Sequence, residues 1–448
     1  MKDVMKKISI LVVVALLMIT TFSMNNLQVQ AAETIDVNAE SAIIVDANTG
    51  KVLYEKQSDL KLPPASMTKM MTEYLVLEAI NEGQISWDTT TQISDYAYWL
   101  ASPSNNFSGI GLIQDKNYTV RELYEAMAIY SDNGTTVALS ELVAGSEGEF
   151  VKMMNEKAEE MGLPEYKFVN STGLSNSDLG DYHPEGTESN EDNLLSARSS
   201  ALLAYHLIND YPEALDYSSM TTTELDGRVL ENWNWMLPDW NNDNFSQYSY
   251  EGVDGLKTGH TDAAGHCFTG TAQQGDRRII TVVMKTSSEG ERFVETKKLM
   301  EYGFSQFETV ELFPTNYQLK EESKLPVSKG KEKEVDIETA AAFETMIKAG
   351  EEELYDIRYE IDEDKLTEDG ALEAPLEAGE KIGEAVLQYN GDVDYGYIGG
   401  DTADQRVDLV TTEAVEKQNW FMLALGAIGD FFANVFTTVV DFFKGLFS

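Results

Sequence analysis

The stretch Ile279-Ile-Thr-Val-Val-Met284 holds no charged residue, and Thr281 is its one polar side chain. A run of that kind suits a strand covered on both faces, because an uncovered face would leave β-branched side chains in water. The chain must therefore provide a sheet for this strand and layers to bury it. Ser41–Val45 and Val52–Tyr54 flank Asn48-Thr-Gly50, which reads as a strand, a tight turn and a second strand. Helical patterns fill the interval between this hairpin and the apolar run. After Pro63-Pro64, the spacing of Met70, Met71, Tyr74 and Leu75 predicts a buried helix starting near Ser66. Thr119-Val-Arg-Glu122 has the form of a capping box before the stripe Leu123, Met127, Tyr130, and that helix should stop near Asn133-Gly134. Residues 291–302 look helical again. A strand pair, then helices, then strands implies an α+β fold, an antiparallel sheet with flanking helices and a helical subdomain.

The composition changes near residue 308. From Glu308 to Lys417 there are 30 acidic and 11 basic residues, and Tyr355, Ile357, Tyr359 and Ile361 alternate with charged positions, the period of a half-buried strand. Val386–Tyr389 and Arg406–Val410 continue the pattern, so 308–417 is expected to be a small all-β domain. At 448 residues the chain is about three times a typical domain. Its formal charge of -44 repels phosphate backbones, which argues against nucleic acid as a partner. One cysteine, Cys267, excludes an internal disulfide, and four scattered histidines show no zinc-ligand spacing, so no metal or cofactor is expected.

The N-terminus points to export and the C-terminus to a membrane surface. Lys2, Lys6 and Lys7 precede the apolar run Ile8–Ile19 and the small-residue pattern Val29-Gln-Ala31, the signature of a signal peptide over 1–31; an uncleaved anchor is the alternative. At 418–448, Phe421, Leu425, Ile428, Phe432, Val435, Val439, Phe443 and Leu446 recur at helical spacing, with Asp430 and Asp441 on another face. Such a helix suits the membrane interface better than its interior, the alternative being packing against its own domain or another copy. The protein is thus expected to be extracytoplasmic and peripherally attached to the membrane surface.

The chemistry sits between these ends. Ser66-Met-Thr-Lys69 at a helix start places a hydroxyl and an amine one turn apart on one face. Serine is a weak nucleophile at neutral pH, and a lysine kept neutral by burial and cationic neighbours can take its proton. Ser131-Asp-Asn133 and Lys257-Thr-Gly259 complete a set of three motifs characteristic of serine penicillin-recognising enzymes. Pro-Pro-Ala-Ser-Met-Thr-Lys-Met-Met-Thr72, Phe168-Val-Asn-Ser-Thr-Gly-Leu174, Asn232-x-Asn234 and Val253-Asp-Gly-Leu-Lys-Thr-Gly-His-Thr261 follow in order. With them the chain resembles the low-molecular-mass penicillin-binding proteins, the serine D-alanyl-D-alanine carboxypeptidases, most strongly over residues 40–307 of the domain expected to span 32–307.

That resemblance implies an acyl-enzyme on Ser66, formed from a peptidoglycan stem peptide ending in D-Ala-D-Ala and trapped by β-lactams. It implies Lys69 as acylation base, Ser131 as proton relay to the leaving amine, and Asn133 as a support for Lys69 and the peptide. Lys257 and Thr258 would bind the terminal carboxylate beside Gly259, the backbone N–H groups of Ser66 and His260 would form the oxyanion hole, and Arg292 would add charge or simply lie on a helix surface. Asp132 departs from the glycine or alanine common at that place, and Gly134-Thr135 replace a more usual Asp-Ala, which bears on deacylation. The aromatic stretch 233–250 reads either as a glycan-binding wall or as a packed surface loop. Two rivals remain: a β-lactamase using Glu165 to activate water, and a catalytically silent surface protein of the same fold.

Overall fold

The structure is a computed structural model and describes residues 35–238, 240, 244–400 and 405–419. The expected signal peptide and nearly all of the expected C-terminal helix lie outside these residues. Among the described residues no helix is long and apolar enough to cross a membrane.

Strands β1 (Ser41–Asp46) and β2 (Val52–Lys56) form the N-terminal hairpin, and β3 (Val253–Thr261), β4 (Gly265–Gln274) and β5 (Arg277–Thr286) form a meander some 200 residues later. They assemble in the order β2-β1-β5-β4-β3, every pair antiparallel, with Ala42 opposite Val283 and Val45 opposite Ile280. The apolar run thus occupies the centre of the sheet. Period-two alternation splits its side chains between two layers. Ile43, Val45, Ile280, Val282 and Met284 enter the large helical core. Ile44 and Ile279 point the other way, close enough to helix Glu289–Gln306 that a Cβ on Gly303 would meet both.

The helical part contains α1 (Lys69–Asn81), α2 (Asp95–Leu100), α3 (Val120–Tyr130), α4 (Asn133–Ala144), α5 (Glu147–Glu160) and α6 (Ala197–Asp210); the helix Glu289–Gln306 is α7. α1 is buried almost all round, Met70, Met71, Leu75, Val76 and Leu77 being at most 2 % exposed, as suits a central helix. The Thr119–Glu122 capping box is formed in full.

Beyond α7 the described chain has no α-helix. β6 (Phe307–Phe313) pairs with Phe343–Lys348, and a six-stranded sheet carries Tyr355–Ile361, Lys381–Tyr389 and Arg406–Thr411 side by side. Its core is Val335, Ile337, Leu372, Ile382, Leu409 and Val415. The β-rich part docks on the N-terminal hairpin: Val52 N–H donates to the Gly396 carbonyl and Ile398 N–H to that of Gly50, both at 2.9 Å. Lys51 is hydrogen-bonded to the Tyr355 hydroxyl and lies 4.4 Å from its ring centroid.

Candidate active site

Ala65 takes a left-handed φ of +49°, and the chain then runs through a 3-10 turn, Ala65–Thr68, into α1. This places the Ser66 hydroxyl at the floor of a cleft of about 940 Å³, with Lys69 one turn deeper and fully buried. Lys69 Nζ lies 2.9 Å from Ser66 Oγ, 2.8 Å from Asn133 Oδ1 and 2.9 Å from the Thr172 carbonyl. Burial pushes this amine well below the ordinary lysine range, and the neighbouring Lys257 pushes it further, against Asp132 and Glu73. A neutral amine has two protons and one lone pair. Asn133 Oδ1 and the Thr172 carbonyl can only accept, so they take the two protons and the lone pair is left facing the Ser66 O–H. That is the geometry of a nucleophile and its base.

The second wall is the turn between α3 and α4. Ser131 ends α3 in the left-handed region, at φ +65°. Asp132 then caps α4: its buried carboxylate accepts from Thr135 N–H at 2.6 Å and from Ile110 N–H at 2.8 Å. The departure from glycine or alanine at this position therefore ties the motif to the overlying loop. Asn133 strengthens the tie, its backbone N–H donating to the Ser108 carbonyl at 3.0 Å. Gly134 is required by close approach, since a Cβ there would lie 2.5 Å from the Ala97 carbonyl oxygen of α2.

The third wall is β3. Lys257 is 2 % exposed, and its Nζ donates to Ser131 Oγ at 2.8 Å. Thr258, Gly259 and His260 continue along the cleft edge. Arg292 of α7 is no surface residue: it is 2 % exposed, lines the cleft, and donates to the Gly259 carbonyl at 3.3 Å and to Glu289 at 3.3 Å. The His260 ring stacks on His266 at 4.2 Å, and burial, then His260 and Arg292, lower His266 to about 4. His266 is thus uncharged near neutral pH, and Arg292 lines this side of the cleft as a cation.

Four supporting residues, Asn170, Glu147, Gly173 and Glu73, have no role assigned from the sequence. The Thr172 carbonyl reaches Lys69 because Asn170 Oδ1 gathers Thr172 N–H, Thr172 Oγ1 and Gly173 N–H, and because Glu147 accepts from the Ser171 backbone at 2.9 Å and its hydroxyl at 2.6 Å. Gly173 has φ +86°, and a Cβ there would fall 1.9 Å from the Ala65 carbonyl oxygen, so this loop braces the residue before the nucleophile. The Phe168–Leu174 motif marked the segment, but no local pattern shows which carbonyl it turns inward. Glu73, one turn past Lys69, was visible only as a charge inside an apolar helix.

The aromatic stretch divides. Trp233 lines the cleft, its Nε1 donating to the Tyr130 carbonyl at 2.9 Å. Trp235 instead stacks on Phe245 at 4.4 Å and packs against Phe293, which is a packed surface layer. Glu165 pairs with Lys61 at 2.6 Å, both substantially exposed, and is not among the residues lining the cleft. Among the described residues no cluster of His, Cys, Asp and Glu could hold a metal ion.

Residues 27–288 match the family described as D-alanyl-D-alanine carboxypeptidase. The chain belongs to that family. Residues 307–417 match the C-terminal domain of penicillin-binding protein 5. Among curated relatives, D-alanyl-D-alanine carboxypeptidase DacF of Bacillus subtilis is 35% identical over 79% of this chain and 82% of its own. DacC of Escherichia coli is 30% identical over 90% of this chain and 89% of its own. Similar solved structures include PBP3 of Streptococcus pneumoniae, described as a peptidoglycan synthesis regulatory factor. It is 34% identical, with a TM-score of 0.69 over 85% of this chain and 100% of that one. The cefotaxime-bound form of penicillin-binding protein D2 from Listeria monocytogenes is 33% identical, with a TM-score of 0.51 over 61% of this chain and 99% of that one. The expected carboxypeptidase resemblance, the α+β fold and the serine-hydrolase class are those of this family.

Proposed function

We propose that the protein is a serine D-alanyl-D-alanine carboxypeptidase that removes the last residue of peptidoglycan stem peptides and is acylated by β-lactams. The observation that carries this is the Lys69 amine, stripped of its protons' freedom by two acceptors and left with its lone pair toward Ser66. Ser66 Oγ attacks the carbonyl between the two D-alanines as Lys69 takes its proton. Ser131, bonded to Lys257, hands a proton to the leaving amine, and the acyl-enzyme is then hydrolysed by water. Backbone N–H groups of Ser66 and His260 stabilise the oxyanion. Lys257 and Arg292 hold the substrate's terminal carboxylate by charge and Thr258 holds it by a hydrogen bond.

The surface position of Glu165 disfavours the β-lactamase reading, and the complete hydrogen-bonded set around Ser66 disfavours a silent scaffold. The signal-peptide pattern of 1–31 supports export, and the amphipathic pattern of 418–448 supports attachment to the outer face of the cell membrane through that segment. Purified protein given a pentapeptide ending in D-Ala-D-Ala should lose one alanine by mass, and Ser66→Ala should lower that rate by about 10⁴ or more and abolish labelling by fluorescent penicillin. Undiminished release by the Ser66→Ala protein would remove the mechanism.

A further inference from the structure

Lys257 poses an electrostatic problem that its contacts do not solve. Its ammonium is 2 % exposed, and its hydrogen-bond acceptors, Ser131 Oγ and the Thr258 carbonyl, are uncharged. Arg292 repels it, and a desolvated cation without compensation loses its proton. It could then no longer attract a carboxylate by charge, and its bond to Ser131 would lose the strength that charge gives it.

A buried carboxylate stands in the neighbouring helix. Glu73 follows Lys69 by four residues, on the same face of α1, and α1 packs against β3, the strand of Lys257. It is 3 % exposed, and the buried Tyr124 hydroxyl of α3 donates to its Oε2 at 3.3 Å. An ionised carboxylate buried beside Met70, Met71, Leu75 and Val76 carries a heavy desolvation cost that a nearby cation offsets. We propose that Glu73 is a positioning residue of the acylation site, its buried carboxylate supplying the negative charge that the Lys257 ammonium needs to work in a desolvated cleft. The proposal rests on the reading of Ser66 and Lys257 given above.

The groups facing this cluster are Lys69 on α1, Tyr124 on α3 with Tyr217 and Glu213 behind it, Asp132 at the start of α4, Lys257 on β3, and Arg292 on α7 with Glu289 and His266 beyond. Glu73 raises the proton affinity of Lys257 and of Lys69, while burial raises its own. The consequence is asymmetric. On the alkaline side Glu73 is ionised and supports Lys257; on the acid side it takes up a proton and its influence on Lys69 fades.

The test is the pH profile of the acylation rate by fluorescent penicillin in the full chain and in Glu73→Gln, which keeps size and the Tyr124 bond but not the charge. The alkaline limb should move down by about one pH unit and the acid limb by less. Glu73→Asp should restore the alkaline limb. An alkaline limb unmoved in a Glu73→Gln protein that melts like the parent overturns the proposal. Should Glu73→Gln not fold, the reciprocal variant decides: Lys257→Met should raise the titration midpoint of the Glu73 carboxyl, followed by NMR of protein labelled with ¹³C at glutamate Cδ, and an unchanged midpoint overturns the proposal. Failure of the parent chain to be acylated at Ser66 would instead sink the functional reading itself, so the two failures are told apart.

Discussion

At the scale of single residues, the site depends on charge states that burial sets. Lys69 acts as a base only when neutral, and its proton affinity is lowered by burial and by Lys257. The rate of acylation should therefore fall as pH drops through the lowered Lys69 value, and Lys69→Met should cut acylation by about 10³ or more at every pH while non-covalent binding of substrate survives, as stopped-flow with a chromogenic β-lactam would show. Asp132 gives a second prediction. Burial raises its carboxyl from 3.8 to about 6, so between those values the folded chain holds a proton there that the unfolded chain does not. This group's contribution to stability therefore improves as pH falls from about 6 toward 4. Asp132→Asn should remove that component, making the difference in urea midpoint between variant and parent depend on pH across this window. A constant difference would show that Asp132 stays ionised throughout.

At the scale of elements, the site is where loops are pinned by buried polar side chains rather than by apolar contact. Asp132 joins the α3–α4 turn to the loop at Ile110, while Asn170 and Glu147 shape the loop that presents the Thr172 carbonyl. Gly173→Ala tests the second device. The added methyl must fall within 1.9 Å of the Ala65 carbonyl oxygen unless one of the two segments moves. The expected outcome is a stability loss of about 1–3 kcal/mol and at least a tenfold slower acylation, because the segment that yields carries Ser66. Thermal melts and penicillin labelling would check both, and labelling at the parental rate would mean that the Asn170 loop gives way instead. The capping box of α3, the hairpin at Asn48–Gly50 and the β5 run were legible because each is a local pattern read over a few residues. The Thr172 contact and the burial of Arg292 were not, because each depends on a segment more than 30 residues away.

At the scale of the whole chain, the β-rich part meets the catalytic part through the N-terminal hairpin, and Lys51 is the polar centre of that contact. Its ammonium is 8 % exposed, bonded to Tyr355 and set against two tyrosine rings, and burial lowers its proton affinity to about 8. Lys51→Ala should weaken this contact by about 1–2 kcal/mol and increase proteolysis between the two parts, while penicillin labelling at Ser66 stays within about twofold. Loss of labelling would mean that the contact shapes the cleft. A chain ending at Lys417 should keep its peptidase activity and lose association with lipid vesicles; continued vesicle binding would place the attachment elsewhere.

The primary structure by itself determined the identity and order of the reacting groups, since Ser66-x-x-Lys69, Ser131-x-Asn133 and Lys257-Thr-Gly259 are each held within three or four residues, and it determined the sheet, since side-chain periodicity is a local property. What it could not determine is how those groups are charged. Proton affinity follows from solvent exclusion and from neighbours such as Glu73, Asp132 and Arg292, and segments remote from one another along the chain create that environment only when the fold closes over them.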